Sequence, residues 1–361
     1  MFVEYPFVVQ TQNAADSILK ARKGGSKTIR VTEGQSIQQA LSSATRGDCI
    51  DVEAGTYAEQ LTIKTNGITL VGEGAHLVPP EAPAQNECSG IGGPLPDGSP
   101  TQAGICVTGA DIVFGDFVPL HSRVTSVGRP VKDVSVSGFT VSNFTGFNIL
   151  VMGAENANVY KNKLLDGPTY GLLTLGSRDT KVSDNEITST TASFKFIGIC
   201  MDNLSKVKVF RNKISTYYIG LCIQTNGAEV EHNEVSDACY GAFIDPGVKN
   251  ARVRDNRMTK SFAECAPGGA AGILIDGSIG ARVENNFVSG WKSDDPRTAG
   301  IAIVDDLTLP SGPAIARNNV VKGNKLRDNL LDVFVNTTGN GNVVRRNDCL
   351  ASNPAGLCRA D

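Results

Sequence analysis

The chain has 361 residues, 40% of them hydrophobic, and a formal net charge of −3. Basic residues are scattered along it rather than gathered into a patch, which argues against nucleic acid as a partner. No apolar run approaches the roughly 18 residues of a membrane helix, so no membrane partner is expected.

From the N-terminus, residues 1–27 form a segment of their own. Its start, "MFVEYPFVVQTQNAAD", has neither the basic region nor the long apolar region of a signal peptide. Either the protein is intracellular, or a leader has been removed; the cysteines favour the second. Cys88 and Cys106 bracket a Gly/Pro-rich loop, and Cys349 and Cys358 bracket the start of the tail, residues 351–361. Both read as loop staples of a secreted protein. The other five cysteines lie in or beside apolar strands and read as buried thiols.

Residues 28–74 read as strand, short helix, strand, turn, strand, strand. Ser36 and Gln39 supply a capping box for a helix over 36–44, which would cover the open end of a stacked structure. Further on, a pattern of apolar-x-x-Asn-x-apolar recurs, as in "VYKNKL" (159–164), "VFRNKI" (209–214) and "VKGNKL" (321–326). Its asparagines are Asn162, Asn185, Asn212, Asn233, Asn256, Asn286, Asn324 and Asn347, and "VSVSGFTV" (134–141) fits one coil earlier with Gly138 in the Asn place. A modal period near 22 with two β runs per repeat indicates a parallel β-solenoid. Stacked Asn side chains can hydrogen-bond from coil to coil, and Asn tolerates the left-handed turn conformation.

"SIQQALSSATRGDCIDVEAGTY" followed by "ITLVGEG" resembles the N-terminal signature of the pectate-lyase-like right-handed parallel β-helix superfamily. The resemblance spans about residues 28–350. It implies one all-β domain, a single-stranded right-handed parallel β-helix of about ten coils with a short N-terminal helical cap. That fold hosts lyases, hydrolases, epimerases and binding proteins, so function has to come from the site.

Each repeat carries a second strand, among them "YGLLTL" (170–175), "IGICMD" (197–202), "IGLCIQ" (219–224), "YGAFID" (240–245), "AGILID" (271–276) and "AGIAIV" (299–304). Side chains alternate along a strand. The columns through Leu172 and Thr174 are mostly branched aliphatic and are assigned inward. The other three are assigned outward: a glycine column (Gly171, Gly198, Gly220, Gly241, Gly272, Gly300), an apolar column (Leu173, Cys200, Cys222, Phe243, Leu274) and a polar ladder, Asp202-Gln224-Asp245-Asp276. Strands in adjacent coils lie about 4.8 Å apart, so three carboxylates in this space should push at least one pKa up unless a cation sits among them.

Two chemistries follow. In a lyase, Asp202, Asp245 and Asp276 would hold Ca²⁺, with Gln224 as orienting group and Lys195, Lys249 or Arg252 as the candidate base. In a hydrolase, two carboxyl groups act as acid and base. The segments that polygalacturonase-like hydrolases of this fold carry are not found here, and the pair Asp305-Asp306 falls after its strand. The apolar strip Leu173, Cys200, Cys222, Phe243 and Leu274 is a candidate substrate surface, with Trp291 as a sugar platform. Three explanations compete for it: cover by the insertions 260–270, 290–298 and 305–316, a homo-oligomer interface, or a cleft for an apolar metabolite. Cys200 and Cys222 stack on adjacent coils and either pair or remain thiols. Histidines occur only at 76, 121 and 232, too dispersed in sequence to suggest a His-based metal site or triad. The leading expectation is an enzyme acting on an acidic polysaccharide by β-elimination or epimerisation. A cyclase or isomerase of a small metabolite and a non-catalytic solenoid are the alternatives.

Overall fold

The computed structural model describes residues 26–191, 195–260, 265 and 269–358. Three parallel sheets of 14, 10 and 11 strands stack along one axis, with successive strands of the chain falling on successive sheets. The molecule is thus a single-stranded right-handed parallel β-helix. Each asparagine-containing run is two short strands rather than one, for example Asn158–Tyr160 and Lys163–Leu165, hinged at Lys161-Asn162. A coil therefore has three faces where the repeat pattern suggested two.

The hinge corrects two sequence expectations. The left-handed residue is the one before each asparagine: Lys161, Asp184, Arg211, His232, Asp255 and Asn285 all have φ between 54° and 57°. And Val136 pairs with Val159, which puts Phe139, not Gly138, in the Asn place. Gly138, at φ 80°, is the left-handed residue of that coil. The asparagines do form a ladder. Asn212 Oδ1 accepts the backbone N–H of Asn185 at 3.1 Å and its side-chain amide at 2.9 Å, while Asn212 Nδ2 donates to Val182 O at 3.0 Å. These side chains lie inside the corner, where an unpaired amide would cost about 1–3 kcal/mol.

The inward columns are as assigned. Leu172, Ile199, Leu221, Ile273 and Ile301 are fully buried, as are Thr174, Met201 and Ile223. The glycine column is not outward. A Cβ at Gly198 would stand 2.5 Å from Ile214 Cγ2 of the neighbouring sheet and 2.8 Å from Gly220 O of the next coil. The strand bends at this corner, so strict alternation fails and only glycine fits.

The cap helix spans Ile37–Ser43 with Ser36 as N-cap, its hydroxyl accepting from Gln39 N. The other orphan N–H groups, of Ile37 and Gln38, go to the Glu59 carboxylate at 2.8 and 2.9 Å, rather than to a reciprocal Gln39 side chain. Ile37, Ala40 and Leu41 pack it onto the first coil.

Four disulfides close: Cys88–Cys106 and Cys349–Cys358 as expected, and also Cys200–Cys222 and Cys239–Cys265. Four of the five cysteines read as buried thiols are therefore paired; the fifth, Cys49, is buried.

One feature stands off the solenoid. Ala110–Val118 and His121–Arg129 form an antiparallel hairpin between the second and third coils of the third sheet. Its Val124, with Ile112, Leu120 and Val127, packs on the outward side chains Leu150, Met152, Leu173 and Leu175 as a second apolar core. The upstream half of the apolar strip is thus covered by this hairpin, not by the later insertions. Of those, residues 261–264 and 266–268 lie outside the described residues.

Candidate functional site

The third sheet carries the polar ladder in the register read from sequence. Leu175 pairs with Asp202, Met201 with Ile223, Ile223 with Ile244, Ile244 with Ile275, and Asp276 with Val304. Asp202, Gln224, Asp245 and Asp276 therefore stand on four consecutive coils at strand ends, pointing away from the core.

The hairpin contributes two residues that sequence reasoning missed. His121 is fully buried, its Nε2 3.2 Å from Asp202 Oδ2 and its Nδ1 2.7 Å from the Tyr170 hydroxyl. Arg123, whose side chain is half exposed, places Nε 3.5 Å from the same Asp202 oxygen. Burial, with Asp245 and Asp202 nearby, pushes the Tyr170 hydroxyl up, so it stays protonated as a hydrogen-bond donor. His121 lies 81 residues from Asp202 in sequence, and only the hairpin's fold-back joins them.

Gln224 Nε2 donates to Asp245 Oδ2 at 2.6 Å. Burial raises the Asp245 carboxyl to about 7, helped by Asp276 and Asp202 and opposed by the Gln224 bond and by Arg123. Asp276 is also raised to about 7, by burial and then by Asp306 and Asp305. Asp305 itself is a structural acid. It accepts from Ala316 N, Thr337 Oγ1 and both the N–H and hydroxyl of Thr338, which hold it low and ionised. Two neighbouring carboxyls thus titrate near neutrality on one open edge.

The remaining candidates divide. Cys200–Cys222 is a buried disulfide between two rungs of the ladder, with Cys222 Sγ 3.9 Å from Asp245 Oδ1. Leu173 is buried under the hairpin. Phe243 and Leu274 remain partly exposed beyond it. Tyr240 packs edge-on against Phe243 at 5.5 Å and against Tyr218 at 5.7 Å, so the open half of the strip is aromatic. Trp291 is not a platform: it is fully buried and donates Nε1–H to Cys239 O. Lys195 opens the strand that Asp202 ends, seven residues away, which at a strand rise of about 3.3 Å puts roughly 23 Å between them. Among the described residues, no group of three or more His, Cys, Asp or Glu side chains converges so as to hold a metal ion. Asp202 is engaged by His121 and Arg123, and Asp245 by Gln224.

Comparisons agree with this architecture. Residues 125–258 match the family model described as periplasmic copper-binding protein (NosD), and residues 197–359 match the model for a right-handed β-helix region. No curated protein matches the chain. Among solved structures, an alginate lyase from Paenibacillus sp. str. FPU-7 superposes with a TM-score of 0.57 at 14% identity, covering 87% of this chain and 99% of that one. A DFA-IIIase from Arthrobacter chlorophenolicus A6 gives 0.52 at 12% identity, covering 93% and 83%. At such identities the likeness is one of fold, and together with the three stacked sheets it makes this chain a right-handed parallel β-helix protein.

Proposed function

We propose that the chain is a carbohydrate-active enzyme acting on an acidic polysaccharide, by β-elimination or by epimerisation, with Asp245 as the group that moves the proton. The observation carrying this is a carboxyl raised to about 7, oriented by Gln224 and set beside a second raised carboxyl on an open, aromatic-lined edge. A group titrating near the working pH is suited to take a proton and return it.

A column of ionised acids would repel a polyanion. Asp245 and Asp276 escape this because each is substantially protonated near neutrality. Protonated Asp276 can donate a hydrogen bond to the substrate carboxylate, which reduces its charge and so acidifies the neighbouring C–H. Ionised Asp245 then removes that proton. The electron pair either expels the glycosidic oxygen, which takes a proton from water on the open edge and leaves an unsaturated uronide, or takes a proton from water on the opposite face. Tyr218, Tyr240 and Phe243 supply stacking surface for sugar rings. The disulfides fit an oxidising compartment, and with it a secreted protein. The present partners of Asp202 and Asp245, His121 with Arg123 and Gln224, do not fit a resident calcium. Lys195 is too distant to be the base.

The likeness to an alginate lyase supports the reading at the level of fold alone. One observation favours a second reading, glycoside hydrolysis. Asp245 and Asp276 stand on adjacent coils, about 4.8 Å apart by strand spacing, close to the separation of retaining glycosidases. The test is incubation with pectate, alginate and glucuronan, following ultraviolet absorbance, new reducing ends and deuterium uptake from heavy water. An absorbance rise identifies elimination, and deuterium uptake without cleavage identifies epimerisation. Reducing ends without absorbance would transfer the assignment to hydrolysis. No change in any signal on any polymer would refute both readings and leave the small-metabolite enzyme and the non-catalytic solenoid.

A further inference from the structure

The hairpin does more than cover apolar side chains. It crosses the outward face of the third sheet immediately upstream of the acid ladder, and it leaves no passage beneath it. A Cβ built on Gly153 would lie 3.1 Å from Ile112 Cδ1 and 3.2 Å from Val127 Cγ1, and one built on Gly176 would collide with Val124. The hairpin's apolar side chains thus lie directly on the turns of two coils, with no space for even a methyl group between. Its position is fixed from both sides. Ser122 N donates to Ile91 O of the Cys88–Cys106 loop at 3.1 Å, and fully buried His121 is held by Tyr170 and Asp202. Beyond the hairpin the same face opens: Tyr218, Tyr240, Phe243 and Leu274 are partly exposed, as are Gln224, Asp245 and Asp276.

We propose that this hairpin is a dead end in the substrate groove, so that the enzyme engages one terminus of a polysaccharide rather than its interior. The inference rests on the polysaccharide reading above and adds its mode of attack. A polymer lying along the sheet can extend from the acids towards later coils, but upstream it meets the wall at His121 and Arg123. Asp202 marks that wall, and Asp245 stands two coils on, about 10 Å away at the usual strand spacing. That distance holds one or two sugar rings, so each cleavage should release a mono- or disaccharide, and each epimerisation should fall within one or two sugars of the terminus. The half-exposed Arg123 guanidinium at the wall is placed to receive the carboxylate of the terminal sugar.

The test is a calorimetric titration of the full chain carrying Asp245→Asn, which removes the reacting carboxyl without adding charge. Short and long oligomers of polygalacturonate, alginate and glucuronan are the probes. One protein bound per oligomer, unchanged as the oligomer lengthens, is the expected result, with affinity weakened at least tenfold when Arg123→Ala is added. Binding capacity that rises in proportion to oligomer length would overturn the dead end while leaving the polysaccharide reading intact. Absence of binding to every oligomer would strike that reading itself, and the inference would fall with it. With the unmodified protein, mono- and disaccharides should accumulate while the polymer keeps its viscosity. An early collapse of viscosity would also overturn the proposal.

Discussion

The raised carboxyl of Asp245 makes a prediction that needs no substrate. In the folded protein it titrates at about 7 against an ordinary value of 3.8. Between those two values the unfolded chain has released its proton and the folded chain has not. The folded state then binds more protons, so stability falls as pH rises through that window. The penalty is absent below about pH 4 and complete above about pH 7. A shift of roughly three units corresponds to about 4 kcal/mol at 1.36 kcal/mol per unit. The side chain is partly exposed, and water reaching the carboxylate reduces the working figure to about 2 kcal/mol. Asp245→Asn keeps the shape and the place beside Gln224 but has no charge to desolvate. Wild type and variant should therefore have similar stability near pH 4, and the variant should be ahead by about 2 kcal/mol near pH 8. Equilibrium urea unfolding with the disulfides intact measures this directly. If the two stabilities run parallel between about pH 4 and pH 8, Asp245 ionises like a surface acid, and its assignment as a near-neutral proton carrier is wrong.

The asparagine ladder should be sensitive in the middle and less so at its end. Asn212→Ala strands the Asn185 amide groups and Val182 O, and should cost about 3 kcal/mol in urea unfolding. Asn347→Ala has a ladder neighbour on one side only and should cost less. Gly198→Ala forces a methyl against Ile214 and Gly220 O, for a loss of about 2 kcal/mol by the same measurement. His121→Ala removes both buried bonds that hold the hairpin, and limited proteolysis within residues 110–129 should accelerate several-fold while the coils remain protected. Calcium and chelator should leave Tm unchanged; a calcium-dependent rise abolished by Asp245→Ala would instead put the ion among the carboxylates.

Much of the fold was legible because a solenoid repeats one local solution. Branched aliphatics at Leu172, Ile199, Leu221, Ile273 and Ile301 mark one inward column, and once they are aligned the ladder Asp202-Gln224-Asp245-Asp276 follows from strand alternation. Pairings such as Leu175 with Asp202 and Asp276 with Val304 match that alignment residue for residue. Alternation misled where the strand turns a corner. The glycine column was placed outward because Gly171 precedes an inward Leu172, yet the bend leaves its Cβ direction facing the next sheet. Cysteine pairing was legible for the two short loops, and the coil register brought Cys200 against Cys222 as a pair or as thiols, whereas Cys239 needs an insertion to bring Cys265 back.

The hairpin was the largest omission, and its absence from the repeat is the reason. Residues 110–129 occur once, so no period exposes them, although apolar residues in "DIVFGDFVPLHSRVTSV" fall on both sides of a Pro-containing turn. With the hairpin in place, the upstream end of the ladder column acquires a physical explanation. Met152 and Leu175 belong to the same column as the acids but lie beneath the hairpin, where an ionised side chain would have no partner and would cost several kcal/mol. Asp202 sits at its edge, tolerated because His121 and Arg123 come down to meet it. Gln224, Asp245 and Asp276 come next on the open stretch, where water and a bound substrate can reach them. The change from Leu175 to Asp202 between two adjacent coils is therefore the trace, in one column of the sequence, of where the hairpin ends and the groove begins.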